Sequence, residues 1–420
     1  MLLKYVRVLL LASVLGGLCS CAQVNTTARS SLPAVGPVAA GGPTPSTENI
    51  RKDIPVPAEP AQIPAPTIFA LPLPVQRQMP TRIALLLPLR SEALGRAANV
   101  VRAGFMTAHE RENEQGLSVT IVETSETVQD VLSGYNAATL NHDIVVGPLS
   151  RTGVTAIVQG GAVGKPTIAL GQLDMSGDVG LMLPQQMLVI GLSIDDEARQ
   201  IANWAHTDHP AGKAFSISTG TAWQRRAAKA FADEWQRGGA QLEAMELGTA
   251  GGFLSASGLL QLRKRIETEK PAFLFVALDA AQTRQLREAI GTDTVMYGTS
   301  QLNPYALPDW ATAERIPDMN GVRLVDMPWQ LQPDHPAVLL YPRLAVNPDQ
   351  RRSADLERLY ALGIDAYRIA REIALKRTQF EIDGVTGKLK IDLYRNAARF
   401  ERTEVPAIYQ DGIVAPLPGW

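Results

Sequence analysis

The feature that most constrains the fold is a regular alternation of apolar runs and segments with helical spacing, which begins near residue 81. The run RIALLLPL (82–89) is apolar over nearly its whole length, as in a strand that is buried on both faces of a parallel sheet. The next segment places Val101, Phe105 and Ala108 on one helical face. Because strands and helices keep alternating in this way, the sequence predicts an α/β fold with parallel sheets and right-handed crossovers.

The length of this alternating region predicts two lobes. So many strand–helix steps would overfill one ordinary sheet, and residues 81–420 suffice for two separate cores. We therefore expect two doubly wound parallel-sheet lobes.

The start of the chain resembles a lipoprotein signal. An apolar stretch, Val8 to Leu18, is too short to span a membrane and fits a secretory signal peptide at 1–20. Cys21 resembles the acylated cysteine of a bacterial lipobox, with Leu18 at position −3 and Ser20 at −1, and Cys19 fits this register less well. The alternatives are a plain signal peptide with an incidental cysteine and a CxC metal or redox pair. A metal site would need further ligands, and the chain has no cysteine after Cys21.

Residues 21–80 have the composition of a tether. Twelve of the 29 prolines of the chain lie there, among alanine, threonine, serine and glycine. Proline cannot continue a helix or donate to a sheet ladder, so this segment is expected to be a disordered, partly extended linker. Acyl chains on Cys21 would then anchor the protein, and the tether would let a globular domain work away from the membrane.

The sequence carries no recognisable catalytic or metal-binding motif. It has five histidines, and neither HExxH nor G-x-S-x-G occurs. Asp195 and Asp196 are typical of a helix N-terminus, where negative charge is favourable. A net charge of −2 gives no indication of nucleic acid binding. We expect no catalytic residue, no metal and no cofactor, although a carboxylate-based hydrolase stays open without geometry.

Candidate ligand residues follow from the expected fold. In doubly wound sheets, ligands bind beyond the carboxyl ends of the strands, at helix N-termini. The residues that directly follow predicted strands are Arg90, Ser91, Gly147, Ser150 and Gln172 in the first half and Thr221, Trp223, Asp279 and Thr299 in the second. Their hydroxyls and exposed amides suit an anionic or zwitterionic ligand. The alternative is that the serine, threonine and aspartate residues only cap helices, and that Trp223 only packs.

Several segments resemble type I periplasmic-binding-protein domains. The opening strand and helix, RIALLLPLRSEALGRAANVVRAGFMTAHE (82–110), have the pattern with which these domains begin. DIVVGPL (143–149) and KPTIALGQLD (165–174) are similar to their next strands and turns. YALGIDAYRIAREI (360–373) resembles their long late helix, and DGVTGKLKID (383–392) resembles their final hairpin. In combination with a lipobox, these segments are most similar to the penicillin-binding protein activator family.

The resemblance implies an architecture. It implies a type I periplasmic-binding-protein domain at 81–420 whose lobes are joined by three crossings that act as a hinge. Lobe 1 would comprise about 81–187 and 327–380, and lobe 2 about 188–326 and 381–420. The helical-repeat amino-terminal domain of the family's best-known form is missing here, and the proline-rich linker stands in its place.

The resemblance also implies a function. It implies a non-catalytic lipoprotein at the periplasmic face of the outer membrane of a Gram-negative bacterium, which regulates peptidoglycan synthesis by contact with a penicillin-binding protein. Relatives that bind branched-chain amino acids share the domain and keep its ligand cleft. The alternative is therefore a solute-binding lipoprotein for an amino acid or similar small polar ligand, which serves an ABC transporter or a sensor.

The two cysteines give a direct test of the lipid anchor. We predict that Cys21→Ser abolishes the incorporation of labelled palmitate and releases the protein from the membrane fraction, because acyl chains contribute about 0.8 kcal/mol per buried CH₂ to membrane binding. Cys19→Ser is the matched control and should keep both the label and the membrane association. Labelled Cys21→Ser protein would contradict the assignment.

Overall fold

The apolar run that begins at residue 82 forms the central strand of the first lobe. In this strand, β1 (Thr81–Leu87), the residues from Ile83 to Leu87 are buried, and their side chains alternate between the two faces of the sheet. The computed structural model describes residues 80–112, 116–161, 163–173, 182–210, 212–305, 315–345, 352–393 and 398–419. The predicted signal peptide, Cys21 and nearly all of the tether lie outside these residues.

The described elements follow the predicted alternation. The further strands are β2 (Leu117–Glu123), β3 (Ile144–Val146), β4 (Thr167–Ala169), β5 (Met187–Val189), β6 (Ala214–Thr219), β7 (Leu242–Leu247), β8 (Thr249–Ala250), β9 (Phe253–Leu254), β10 (Phe273–Val276), β11 (Met296–Gly298), β12 (Arg323–Asp326), β13 (Gln379–Asp383), β14 (Lys388–Asp392), β15 (Arg399–Thr403), β16 (Val405–Gln410) and β17 (Ile413–Pro416). The α-helices are α1 (Gly95–Glu112), α2 (Val128–Asn141), α3 (Arg151–Gln159), α4 (Ile194–Asp208), α5 (Ala222–Arg237), α6 (Ala256–Glu269), α7 (Ala280–Ile290), α8 (Pro328–Leu331), α9 (Pro336–Leu339) and α10 (Ala354–Ala374).

The first lobe is a doubly wound parallel sheet. Its five strands have the order β2-β1-β3-β4-β5, and every pair is parallel. Helices α1 and α10 cover one face, where the rings of Phe105 and Tyr367 meet edge to face. Helices α2 and α3 cover the other face around Val131, Tyr135 and Val154. Strands β1, β3 and β4 are therefore shielded from water on both faces, which explains why their sequences are almost entirely apolar.

The second lobe has the same layered construction with an antiparallel extension. Its seven strands have the order β17-β16-β12-β11-β10-β6-β7. Strands β7, β6, β10, β11 and β12 pair in parallel in this order, whereas β16 and β17 add antiparallel strands at one edge. One face packs Phe231 and Trp235 of α5, and the other packs Leu262 of α6 and Leu286 of α7. The predicted fold class, α/β with two parallel-sheet lobes, is confirmed.

The chain passes between the lobes in three places. These are the connection from β5 to α4, the end of β12 and the step from β15 to β16. Met327 and Trp329, just after β12, pack in the core of the first lobe. The three connections bring polar side chains of both lobes together at one junction.

The expected division at residue 381 differs from the packing. Residues 379–403 form a three-stranded antiparallel sheet, β13-β14-β15. Its buried side chains, Ile382, Leu389 and Ile391, belong to the core of the first lobe. Only β16 and β17 join the sheet of the second lobe. The amphipathic alternation in β13 and β14 needs one apolar partner surface, and α10 with its neighbours supplies that surface.

Helices α1 and α10 approach closely because each has a glycine at the contact. A Cβ atom on Gly104 would lie 2.0 Å from the carbonyl oxygen of Tyr360. A Cβ atom on Gly363 would lie 2.2 Å from the carbonyl oxygen of Val101. These are backbone atoms of the facing helix, so neither contact can be relieved by a side-chain rotation. The position of α10 in the first lobe therefore depends on both glycines.

We predict that Gly104→Ala lowers the free energy of unfolding by about 1–3 kcal/mol, because the added methyl group forces the two helices apart. By helix propensity alone, replacing glycine with alanine would stabilise the protein by about 1 kcal/mol. A net loss of stability therefore requires that the clash outweigh this gain. Gly164→Ala is the control, because a Cβ atom there meets nothing within 4 Å. Urea denaturation measures both variants, and a Gly104→Ala protein as stable as the wild type would contradict the close contact.

Candidate functional site

Arg358 of α10 joins the two lobes. Its side chain is only 6% exposed. Its Nε and Nη2 donate to the carboxylate of Asp326, at the end of β12, over 3.1 and 2.7 Å. Nη2 also donates to the carbonyl oxygens of Ser300 and Asn303, both over 3.0 Å. Because α10 packs in the first lobe and β11 and β12 belong to the second, this guanidinium bridges the lobes.

The carboxylate of Asp326 is fully surrounded by donors. Besides Arg358, it accepts hydrogen bonds from the side-chain amide of Asn303 and from the backbone N–H of Met327, each at 2.9 Å. Asp326 itself is completely buried. An ion pair that is removed from water in this way needs such additional hydrogen bonds to offset the loss of hydration.

Glu197 adds a second buried carboxyl group from α4. The backbone N–H of Ser300 donates to it at 2.8 Å and the hydroxyl of Ser300 at 3.1 Å. The pKa of Glu197 is raised to about 7, mainly by burial and also by the charge of Asp326, while the hydrogen bonds from Ser300 and the charge of Arg358 oppose the shift. Glu197 lies one turn into a helix that Ser193 caps, which fixes its position at the carboxyl end of β11.

Arg402 and Glu404 complete the group at the third crossing. Arg402 donates to the carbonyl oxygens of Ile190 and Gly191, at the first crossing, over 2.8 and 3.3 Å. The backbone of Glu404 exchanges two hydrogen bonds with the side chain of Gln200 on α4. Burial raises the pKa of Glu404 well above its usual range, and nearby carboxyl groups of the cluster add to the shift.

We call Glu197, Asp326, Arg358, Arg402 and Glu404 the interlobe junction. Asp326 lies at the carboxyl end of β12, and Ser300, which donates to Glu197, lies just beyond the carboxyl end of β11. The general rule for such sheets places a ligand at these strand ends. In this protein Arg358 of the facing lobe occupies that position. The junction therefore holds the lobes together with the chain's own charges.

The candidates that follow β1 bond within the first lobe. Arg90 pairs with Asp130 at 2.8 Å and remains about half exposed. Ser91 donates to Glu126 at 2.6 Å and accepts from the backbone N–H of Leu94 at 3.0 Å. Both side chains thus fix the loops between β1, β2 and α2.

The candidates that follow β3 and β4 have mixed roles. Gly147 has a φ of 120°, and a Cβ atom there would lie 2.0 Å from the carbonyl oxygen of Leu86. Ser150 is the N-cap of α3. Gln172 donates to the carbonyl oxygen of Gly191 at 2.6 Å and also lines a cavity.

The candidates of the second lobe are mostly engaged locally. Asp279 forms a capping box with Gln282 at the start of α7. Thr221 precedes α5 and lies on the surface, with its hydroxyl 3.1 Å from that of Thr219, and Trp223 is half-buried. Thr299 is fully buried, and within the described part of the chain its hydroxyl oxygen has no hydrogen-bond partner.

Two cavities beside the junction contain predicted residues, but not the same ones. A cavity of about 450 Å³ is lined by Gln172 together with Ser193, Asp195 and Arg199 at the start of α4. Another, of about 330 Å³, is lined by Asp279 together with Asp355 and Arg358 at the start of α10. Gln172 and Asp279 therefore line two separate cavities, and only the second includes a junction residue, Arg358.

Sequence reasoning missed Glu197, Asp326 and Arg358. A signal for Arg358 was present: in α10 it shares the buried face with Ala354, Ala361 and Leu362. A charged residue that falls among the buried residues of a helix needs a buried partner, although the sequence does not say where that partner lies.

Among the described residues, no group of three or more His, Cys, Asp or Glu side chains is arranged to hold a metal ion. None of the described helices is long and apolar enough to cross a membrane.

Comparison with known proteins finds a matching family and structures with a similar fold. The family model described as "LppC putative lipoprotein" matches residues 51–412. A structure described as a "putative branched-chain amino acid ABC transporter" from Chromobacterium violaceum is 33% identical, with 78% of this chain and 99% of that chain covered and a TM-score of 0.61. No curated protein matches the sequence at a significant level.

Two structures of LpoA from Haemophilus influenzae share the fold. The LpoA (YraM) C-domain, described as a regulator of PBP1A, is 21% identical, with 80% of this chain and 100% of that chain covered and a TM-score of 0.60. Full-length LpoA at 1.97 Å resolution is 23% identical, with a TM-score of 0.63. The match covers 81% of this chain but only 60% of full-length LpoA.

We predict that Asp326→Asn lowers the free energy of unfolding by about 3–5 kcal/mol, because it leaves the guanidinium of Arg358 without its buried counter-charge. Asp355→Asn is the matched control. Asp355 pairs with the same arginine at 3.1 Å, but its side chain is 75% exposed, so its loss should cost less than about 1 kcal/mol. Denaturant unfolding compares the two variants. Equal losses in the free energy of unfolding would show that the buried pair stabilises the protein no more than the exposed pair does.

Proposed function

Since the chain belongs to the LppC family of lipoproteins, we propose that it is a non-catalytic regulator of peptidoglycan synthesis that acts by contact with a penicillin-binding protein. Acyl chains on Cys21 would hold it at the periplasmic face of the outer membrane. The proline-rich segment 21–80 would then carry the domain at 81–420 tens of ångströms into the cell-wall layer.

The observation that carries the proposal is the position of Arg358. A solute receptor needs polar groups of its cleft to be available for the ligand. Here Arg358 already bonds Asp326 and the carbonyl oxygens of Ser300 and Asn303, at the carboxyl ends of the second lobe's strands. A domain whose cleft is bridged by its own side chain is suited to act as a scaffold that presents an outer surface.

The shared fold supports the same conclusion. The LpoA C-domain of H. influenzae is described as a regulator of PBP1A, and this chain covers all of that domain. The match between this chain and full-length LpoA spans 60% of LpoA. Any contact made by the rest of LpoA therefore has no counterpart in the matched region. We therefore assign the synthase contact to the two lobes.

The alternative is a solute-binding lipoprotein. The 33% identity to the C. violaceum protein favours it, as does the cavity of about 450 Å³ beside Gln172. In that case an amino acid or similar small polar ligand would bind beside the junction.

We predict that the full-length lipidated protein raises the initial rate of glycan polymerisation by a bifunctional penicillin-binding protein of the same organism by about fivefold or more, as expected for a coupling of 1–3 kcal/mol between two sites. Both proteins are reconstituted in detergent, and lipid II consumption is followed. An unrelated periplasmic lipoprotein is the control for detergent and lipid effects.

Two results would contradict the regulator. One is an unchanged polymerisation rate together with a failure of the two proteins to co-purify. The other is a large rise in melting temperature with one class of amino acid that Gln172→Ala removes, because a ligand bound to the native state in the cavity beside Gln172 adds about 2.7 kcal/mol of stability at a hundredfold excess over Kd. The second result would identify a solute receptor.

A further inference from the structure

A cavity of about 350 Å³ lies at the hinge, and its lining includes none of the candidate residues that the sequence predicted. We call it the hinge cavity, and its polar lining consists of Gln332, His335, Asp383, Lys388, Thr403 and Glu404. These residues come from the segment after β12, from the three-stranded sheet and from the third crossing. The cavity thus contacts two of the three connections between the lobes.

Glu404 is the group that indicates a ligand there. The residue is 5% exposed, and within the described part of the chain its Oε2 has no hydrogen-bond partner. A buried polar atom without a partner is rare in folded proteins, because it has lost its hydration without replacement. The backbone N–H and carbonyl of Glu404 are both bonded to Gln200, so only its carboxyl group lacks a hydrogen-bond partner.

The charges around Glu404 are unequal. The groups that act on it are the carboxyl groups of Glu197 and Asp326 and the guanidinium groups of Arg358 and Arg402. Arg358 is committed to Asp326 and two backbone carbonyls, and Arg402 donates to the carbonyls of the first crossing. Of the three carboxyl groups, Asp326 is paired with Arg358, whereas Arg402 donates to backbone carbonyls, so Glu404 is left without a hydrogen-bonded cation among these groups. An additional cationic donor would compensate the third carboxyl group.

The lining of the cavity also offers a positive charge. Lys388 is exposed and takes part in none of the ion pairs found among the described residues. His335 is held by Asp383, with Nε2 3.3 Å from its Oδ1. The lining therefore presents a carboxyl group without a partner at the crossing and an ammonium group without a partner on β14.

We propose that the hinge cavity binds a small organic zwitterion, with its ammonium group at Glu404 and its carboxylate at Lys388. A volume of about 350 Å³ is at the lower end of the range for small-molecule sites and suits an amino acid or a short peptide. The bound molecule would contact residues 328 and 403–405 together, and so would tie the second and third crossings. This inference does not depend on the proposed function, because it concerns only this chain.

The test is calorimetric titration of the full-length protein with glycine, glycylglycine and triglycine, which separate their charges by increasing distances. We expect one of the three to bind at millimolar concentration or below. The same molecule as its carboxy-terminal amide or as its N-acetyl derivative should bind about tenfold more weakly, because each loses one of the two charged contacts. No synthase is present, so failure here leaves the regulator proposal unaffected.

Three variants locate the site. Lys388→Met should weaken binding about tenfold, and since Lys388 is exposed this change should not affect folding. Glu404→Gln keeps the shape of the carboxyl group and should have the same effect. Lys390→Met is the matched control, because Lys390 lines only the adjoining groove on the same sheet and pairs with Glu381. No binding by any of the three probes would overturn the proposal, and so would binding that Lys388→Met and Glu404→Gln leave unchanged.

Discussion

The buried ion pair between Arg358 and Asp326 is the interaction on which the arrangement of the two lobes depends. It is costly by itself, because two charges leave water. The structure offsets this cost with five further hydrogen bonds or contacts, from Asn303 and Met327 to the carboxylate and from the guanidinium to Ser300, Asn303 and Asp355. The pair therefore acts less as a source of stability than as a means of specifying one position of α10 against the second lobe.

The contacts of Arg358 and Arg402 also restrict the movement of the two lobes. Three crossings form a hinge that permits rigid-body closure only if nothing else connects the lobes. Here Arg358 connects them through side-chain contacts, and Arg402 connects the first crossing to the third. Separating the lobes would break the hydrogen bonds of Arg358 and remove the counter-charge of Asp326. The packing of Gly104 and Gly363 fixes α10 to α1 and transmits the same constraint into the first lobe.

The sequence was sufficient to predict the layers but not the junction. Continuous apolar runs such as 82–89 determine strands that are buried on both faces, and this local pattern does not depend on distant contacts. The partners Arg358 and Asp326 lie 32 residues apart, on different elements, and their pairing depends on how two complete lobes dock. The three-stranded sheet at 379–403 shows the same limit. Its alternating pattern predicts one buried face, but the sequence cannot say which lobe supplies the partner surface.

Whether such a fold acts as a receptor or as a scaffold depends on where its polar groups make their hydrogen bonds. At the ends of the strands, Ser91 bonds Glu126, Asp279 bonds the start of α7, and Gln172 bonds a backbone carbonyl. These groups are already satisfied, so a ligand that bound to them would have to replace an existing bond and would gain little. The carboxyl group of Glu404 differs, because a ligand would supply a bond where none exists. By this criterion, the hinge is a stronger candidate for small-molecule affinity than the positions of Ser91, Asp279 and Gln172.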